Sequence, residues 1–164
     1  MKSLSPLVLC IGLIVLAGCS TLSPYSELTK LDLTLEGSPE LNPDLNGRPS
    51  PVVLRLMALE HPVAFENADF FSLYQRPREA LAPDLITVEE LELRPGETRE
   101  LKLSVDPDAR YIGIVAAYRN LPETRWRYTL PLDVQGITRA TLSLDASGLR
   151  VLSPDEEEKR RDRD

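Results

Sequence analysis

The sequence predicts an all-β fold, a two-sheet β-sandwich of about eight strands with one short helical insertion. Three observations carry that prediction. Apolar and polar residues alternate in short runs, as at Leu31, Leu33 and Leu35 and again at Leu101, Leu103 and Val105. Val52 to Leu59 and Tyr111 to Tyr118 are apolar on both parities, the pattern of central strands covered on two sides. Fourteen prolines against eight glycines punctuate the chain often, which suits strand ends and stiff turns better than long helices.

Taken in order, Leu31, Leu33 and Leu35 alternate with Asp32 and Thr34 and give strand one a single buried face. Gly37 to Pro51 is rich in Pro, Asn, Asp and Gly and reads as an ordered loop. Val52 to Leu59, interrupted only by Arg55, is strand two, and His61-Pro62 ends it. Asn67 is placed to cap a short helix with Asp69 in its first turn. Phe70, Leu73 and Tyr74 then share a face at i, i+3 and i+4, as a cover over the Val52 strand. Pro77 closes that helix, and Pro77 to Leu81 forms a further turn.

Ile86 to Leu93 is strand three with a defect. Ile86 and Val88 share one parity and Leu91 and Leu93 the other, so a β-bulge is expected near Glu89-Glu90. Arg94-Pro95-Gly96-Glu97 places Pro and Gly where a type II turn needs them. Leu101 to Val105 is strand four, Asp106-Pro107-Asp108 turns the chain, and Tyr111 to Tyr118 is the second central strand. Tyr128, Leu130, Leu132 and Val134 alternate, as do Leu142 and Leu144. Ser147-Gly148 turns into Leu149 and Val151.

The ends are of another kind. Lys2 precedes an apolar run from Leu7 to Leu16 with a small-residue exit, Ala17-Gly18, which is the layout of an export signal. A spanning helix, the competing reading, needs about 20 apolar residues, whereas polar residues begin at Ser20. Leu16-Ala17-Gly18-Cys19 resembles the lipobox of bacterial lipoproteins, with Cys19 as the acyl acceptor. Two acyl chains suffice for stable anchoring, and Ser20, rather than Asp, after that cysteine resembles the signal for release to the outer membrane. Cys10 leaves with the leader, so the mature chain keeps no thiol for a disulfide. The expected organisation is 1–18 signal peptide, 19–27 lipidated cysteine and tether, 28–153 sandwich and 154–164 charged tail, since Asp155 to Asp164 is charged throughout.

Catalytic signatures are missing. The chain has one histidine, His61, and it carries no G-x-S-x-G, H-E-x-x-H or P-loop pattern. A zinc site would have to rest largely on carboxylates, which is uncommon. Glu89 and Glu90 are adjacent and point to opposite faces of a strand. The net charge of −7 disfavours nucleic acid. No enzyme and no cofactor are expected. Arg119, Arg125 and Arg127 around Trp126 leave two readings open: a recognition patch, or a tryptophan plugging the sandwich core while the arginines pair with surface carboxylates.

Several blocks together resemble the type VI secretion lipoprotein family, TssJ (VasD/Lip). They are Leu41-Asn42-Pro43-Asp44 with Gly47-Arg48-Pro49-Ser50-Pro51 running into Val52 to Leu56; Ala68 to Tyr74; Leu93 to Glu97; and Tyr111 to Arg119 with Trp126-Arg127. The resemblance implies a transthyretin-like sandwich at the periplasmic face of the outer membrane, binding the periplasmic domain of TssM in a complex that includes TssL. It places the TssM contact on the loop between the first two strands, at Asn42, Pro43, Asp44, Asn46, Gly47, Arg48 and Pro49. Solvent-facing polar groups on a proline-stiffened loop dock at little ordering cost. A periplasmic ligand-binding or carrier lipoprotein is the alternative.

Overall fold

The structure, a computed structural model, describes residues 29–153. The proposed leader, Cys19 with its tether, and the charged tail lie outside the described residues. Among the described residues eight strands form two four-stranded sheets. The first sheet holds β1 (Thr29–Gly37), β4 (Thr98–Val105), β7 (Ile137–Asp145) and β8 (Gly148–Val151) in the order β4-β1-β7-β8. The second holds β2 (Val52–Leu59), β3 (Leu85–Leu93), β5 (Tyr111–Ala116) and β6 (Arg127–Pro131) in the order β3-β2-β5-β6. Neighbouring strands run antiparallel except β1 and β7, which are parallel.

Alternation puts Leu31, Leu33 and Leu35 of β1 inside, against Leu142 and Leu144 of β7 and the inward residues of β2 and β5. Between β3 and β4, Arg94 to Glu97 carries the chain from one sheet to the other. Gly96 sits at φ 74° there and the Glu97 N–H donates to the Arg94 carbonyl at 3.0 Å, as a type II turn requires.

β2 and β5 are central strands, as their apolar pattern predicts, although the second strand ends at Ala116 rather than Tyr118. Their outward residues Met57, Leu59 and Val115 form a second core with the insertion, which has three short helices: α1 (Val63–Asn67), α2 (Phe70–Gln75) and α3 (Pro77–Ala80). Its fully buried anchors are Phe65, Leu73 and Leu81, whereas Phe70 is only half-buried. The Phe65 ring occupies the space a side chain would need at Gly113, where an added Cβ would come within 2.7 Å of it.

Local details differ from expectation. Asp69, not Asn67, caps the aromatic helix: its carboxylate accepts the Ser72 N–H at 3.0 Å, while the Asn67 amide bonds back to the Val63 carbonyl. The depressed pKa of Asp69 has the same origin, the Ser72 hydroxyl and N–H. No bulge occurs at Glu89-Glu90. The β2–β3 register runs unbroken from Val52↔Leu93 to Ala58↔Thr87 and shifts only at Leu59↔Leu85. Val88 faces the helical core and Leu91 the sandwich core, so opposite parities are both satisfied by apolar cover. β6 stops at Pro131, leaving Leu132 and Val134 in the following turn.

The strands define two poles. Thr29, the Asp106–Arg110 turn and the Leu132–Gly136 turn lie at one, where the chain from Cys19 enters the fold. Residues 38–51, 94–97, 117–126 and 146–147 lie at the other.

Candidate partner-binding surface

The loop from β1 to β2 is pinned at its base and built as a tight turn at its tip. Leu41 is fully buried, and the Ser50 N–H donates to its carbonyl at 3.0 Å. Asn42, expected to face solvent, is instead buried, and its φ of 46° is left-handed. Its amide nitrogen donates to the Pro51 carbonyl at 2.8 Å, its side-chain oxygen accepts the Arg119 N–H at 2.9 Å, and its carbonyl accepts the Ser50 hydroxyl. A polar group buried this way is satisfied, so it stabilises instead of destabilising.

Asp44 organises the tip. Its carboxylate accepts the N–H groups of Asn46 and Arg48 at 2.8 and 2.9 Å and pairs with the Arg48 guanidinium at 3.0 Å. Main-chain bonds from Asp44 to Arg48 and from Gly47 to Asp44 close the turn, with Gly47 at φ 75°. The Arg48 and Asn46 N–H groups hold the Asp44 carboxyl below its usual pKa. What remains presented to solvent is Asn46, the Arg48 side chain, Pro49 and, above all, Leu45, the most exposed large apolar residue among those described. Leu45 was not among the predicted site residues. Its signal was an aliphatic residue standing alone in a turn of Pro, Asp, Asn and Gly.

The arginine patch divides. Arg119 joins the loop, its guanidinium donating to the Ser50 hydroxyl at 3.0 Å. Arg127 serves the insertion: it donates to the carbonyls of Phe65 and Ala68 at the end of α1, and its guanidinium lies 4.9 Å from the Trp126 ring centroid. Trp126 packs edge-on against Phe70 at 5.3 Å and is only half-buried between the two cores. It lies at the edge of the sandwich core rather than inside it, and among the described residues neither Arg119 nor Arg127 forms an ion pair with a carboxylate.

The loop and the β5 exit therefore share one groove of about 660 Å³, bounded by Asn42 to Asn46 on one side and by Tyr118 to Asn120, Thr124 and Ala146 on the other. Tyr118 forms its floor. Its hydroxyl is buried without a hydrogen-bond partner among the described residues, and burial followed by the charge of Asp145 pushes its pKa up. A second opening of about 240 Å³ lies between the free edges of β3 and β4 at the other pole, lined by Leu31, Leu56, Leu103 and Ile112 with Glu89 and Asp106 at the rim. That is smaller than the roughly 300 Å³ at which small-molecule sites begin.

Among the described residues no group of His, Cys, Asp and Glu is arranged to hold a metal, and no helix is long and apolar enough to cross a membrane. His61 pairs with Asp84 at 3.0 Å at the end of β2.

Residues 29–147 match the family model of the type VI secretion lipoproteins VasD, EvfM and TssJ. The chain belongs to this family. The family is one of secretion lipoproteins and not of enzymes. Among solved structures, the type VI secretion lipoprotein TssJ1 of Pseudomonas aeruginosa is 34% identical at a TM-score of 0.74, over 76% of this chain and 95% of that one. Lip of Serratia marcescens, a membrane-bound component of the type VI secretion system, is 28% identical at a TM-score of 0.71, over 76% of this chain and 98% of that one. A chain of a type VI membrane complex and one in a structure of the EAEC TssM C-terminal domain, at 24% and 22% identity, share the fold. No curated protein matches.

Proposed function

We propose that this lipoprotein anchors the type VI membrane complex at the periplasmic face of the outer membrane through lipid on Cys19, and that its β1–β2 loop binds the periplasmic domain of TssM, with TssL in the same assembly. The observation that carries the reading is the construction of the loop. A turn held by Asp44 and rooted through Asn42 projects a fully exposed Leu45 from the pole opposite Thr29. Lipid at one pole and a rigid recognition turn at the other suit a subunit that bridges a membrane and a partner reaching towards it. Anchoring also raises the effective concentration of the two surfaces. A preorganised turn loses little entropy on docking, and an apolar tip beside a groove is the anatomy of a hot spot.

Within this reading Asn46, Gly47, Arg48 and Pro49 form the contact rim with Leu45 at its centre, and Asn42, Pro43 and Asp44 hold the loop in shape. The test is binding of the soluble domain to purified TssM periplasmic domain by calorimetry. Replacing residues 43–48 by a short Gly-Ser turn should abolish binding while circular dichroism keeps the β spectrum. Unchanged affinity would move the interface off the loop.

A further inference from the structure

The outer face of the first sheet has no helical cover among the described residues, unlike that of the second. Because Leu31 and Leu33 point inward, Lys30 and Asp32 point outward. The register sets Lys30 beside Ile137 at the tether pole and, one step further in, Asp32 between Lys102 and Arg139. Three cations thus surround one carboxylate, with Arg139 and Asp32 at 3.7 Å, in a chain whose net charge is −7. Two apolar side chains project beside them, Val134 at 40% exposure and Ile137 at 41%.

The turn bearing Val134 is fixed to the start of the fold: the Gln135 N–H donates to the Thr29 hydroxyl at 3.1 Å and the Lys30 N–H to the Gly136 carbonyl at 2.9 Å. Thr29 is also where the chain arrives from Cys19, and ten residues reach at most about 35 Å. This corner is therefore held near whatever surface carries the lipid.

We propose that this corner, with Val134 and Ile137 as apolar tips and Lys30, Lys102 and Arg139 as cations, lies flat against an anionic lipid surface, the membrane that holds the chain. The proposal rests on lipid attachment at Cys19. Apolar side chains flanked by cations favour the interface between headgroups and acyl chains. Asp133 beside Val134 and Asp106 and Asp108 on the neighbouring β4–β5 turn put carboxylates at the very end, and Glu100 lies beyond Lys102 along β4. The cations that meet lipid are therefore those on the first sheet's face next to the tether. The contact is weak alone and is sustained by the tether, which supplies a high effective concentration. Its consequence is an orientation: the tether corner touches the bilayer, and the loop pole is the end of the domain furthest from that contact.

The test uses the full lipidated chain reconstituted in phosphatidylethanolamine–phosphatidylglycerol vesicles. With Cys19 blocked by lipid, Val134→Cys or, at the far pole, Leu45→Cys gives a single labelling site for an environment-sensitive dye. Quenching by spin-labelled lipid should be several-fold stronger at position 134 than at 45. It should fall in phosphatidylcholine vesicles and in a Lys30→Glu, Lys102→Glu variant. Equal quenching at the two positions, or quenching indifferent to vesicle charge, overturns the contact. A chain that does not float with the vesicles overturns the anchor on Cys19 instead. The vesicle comparison needs no charge reversal, so it stands even if the charge-reversed variant folds poorly.

Discussion

The side-chain oxygen of Asn42 accepts the main-chain N–H of Arg119 at 2.9 Å, across 77 positions of sequence. That bond ties the β1–β2 loop to the exit of β5, so a segment of loop sequence behaves as part of the sandwich. The same side chain closes the loop on itself through Pro51. Two surfaces that read as separate candidates, the loop and the start of the arginine stretch, thereby become one.

Asn42→Ala should accordingly lower stability by roughly 2–3 kcal/mol, since it leaves a part-buried N–H and a part-buried carbonyl without their partner and puts alanine at a left-handed φ. Asn42→Gly keeps the backbone conformation but not the bonds, and should fall between Asn42→Ala and the parent. Asn46→Ala, at the exposed tip, should change stability by less than about 0.5 kcal/mol. Urea unfolding followed by circular dichroism measures all three. Equal midpoints for Asn42→Ala and Asn46→Ala would mean the buried amide is not a structural element.

The insertion gives a second contrast. Phe65→Ala should cost about 3–5 kcal/mol, because the ring is fully buried against the Gly113 backbone. Phe70→Ala, whose half-buried ring stacks on Tyr74 and meets Trp126 edge-on, should cost about 1–2 kcal/mol. Gly113→Ala should destabilise by roughly 1–3 kcal/mol through overpacking against Phe65. The ordering is the test: a Phe70 variant less stable than the Phe65 variant would reverse the assignment of the anchor.

These contrasts mark where sequence reading stops. Alternation in β1 and β4 and the doubly apolar runs of β2 and β5 identify strands because burial on one or two faces writes directly into period-two patterns. Phe65 leaves no sequence signal because α1 has only 5 residues, too few to show a helical period. A single buried face would demand a bulge in β3, whereas Val88 and Leu91 each find a core. Asn67 and Asp69 are both good caps by residue type, and only the position of Ser72 decides between them. Among the candidate site residues, Asn42 has the polar loop setting of an exposed side chain; its burial depends on a partner at Arg119 that no local pattern reveals.

Asp44 makes the loop sensitive to acid. Its folded-state pKa is lowered, so the order it imposes is complete above the ordinary carboxylate value of 3.8 and is lost as pH falls through the lower folded value. Near neutral pH the turn should be insensitive. In an NMR titration the amide signals of Asn46 and Arg48 should hold constant to about pH 4 and then move together. Asp44→Asn should show no such acid transition. Movement centred above pH 4 would exclude Asp44 as the titrating group.

The anchor is testable independently of the folded domain. Cys19→Ser should abolish palmitate labelling and leave the leader uncleaved. In an enteric host the parent should fractionate with the outer membrane, and Ser20→Asp should shift it to the inner membrane. Labelling that persists in Cys19→Ser would place the lipid elsewhere.

The loop and the tryptophan end of the arginine stretch differ in what they hold, and that separates binding from folding. Leu45 touches solvent and no part of the core, so Leu45→Asp should leave the unfolding midpoint unchanged, yet lower affinity for periplasmic TssM at least about tenfold, the effect of losing some 1.4 kcal/mol at a central apolar contact. Arg127 is the opposite case. It donates to the Phe65 and Ala68 carbonyls and covers Trp126, so Arg127→Ala should cost about 1–2 kcal/mol of stability while TssM affinity, measured below the unfolding transition, stays within about twofold. Arg119 bridges the two, because its guanidinium holds Ser50 at the base of the loop; Arg119→Ala should weaken binding less than Leu45→Asp. If Arg127→Ala alone lost binding at full stability, the contact would lie beside the helical insertion and the loop would be only a brace.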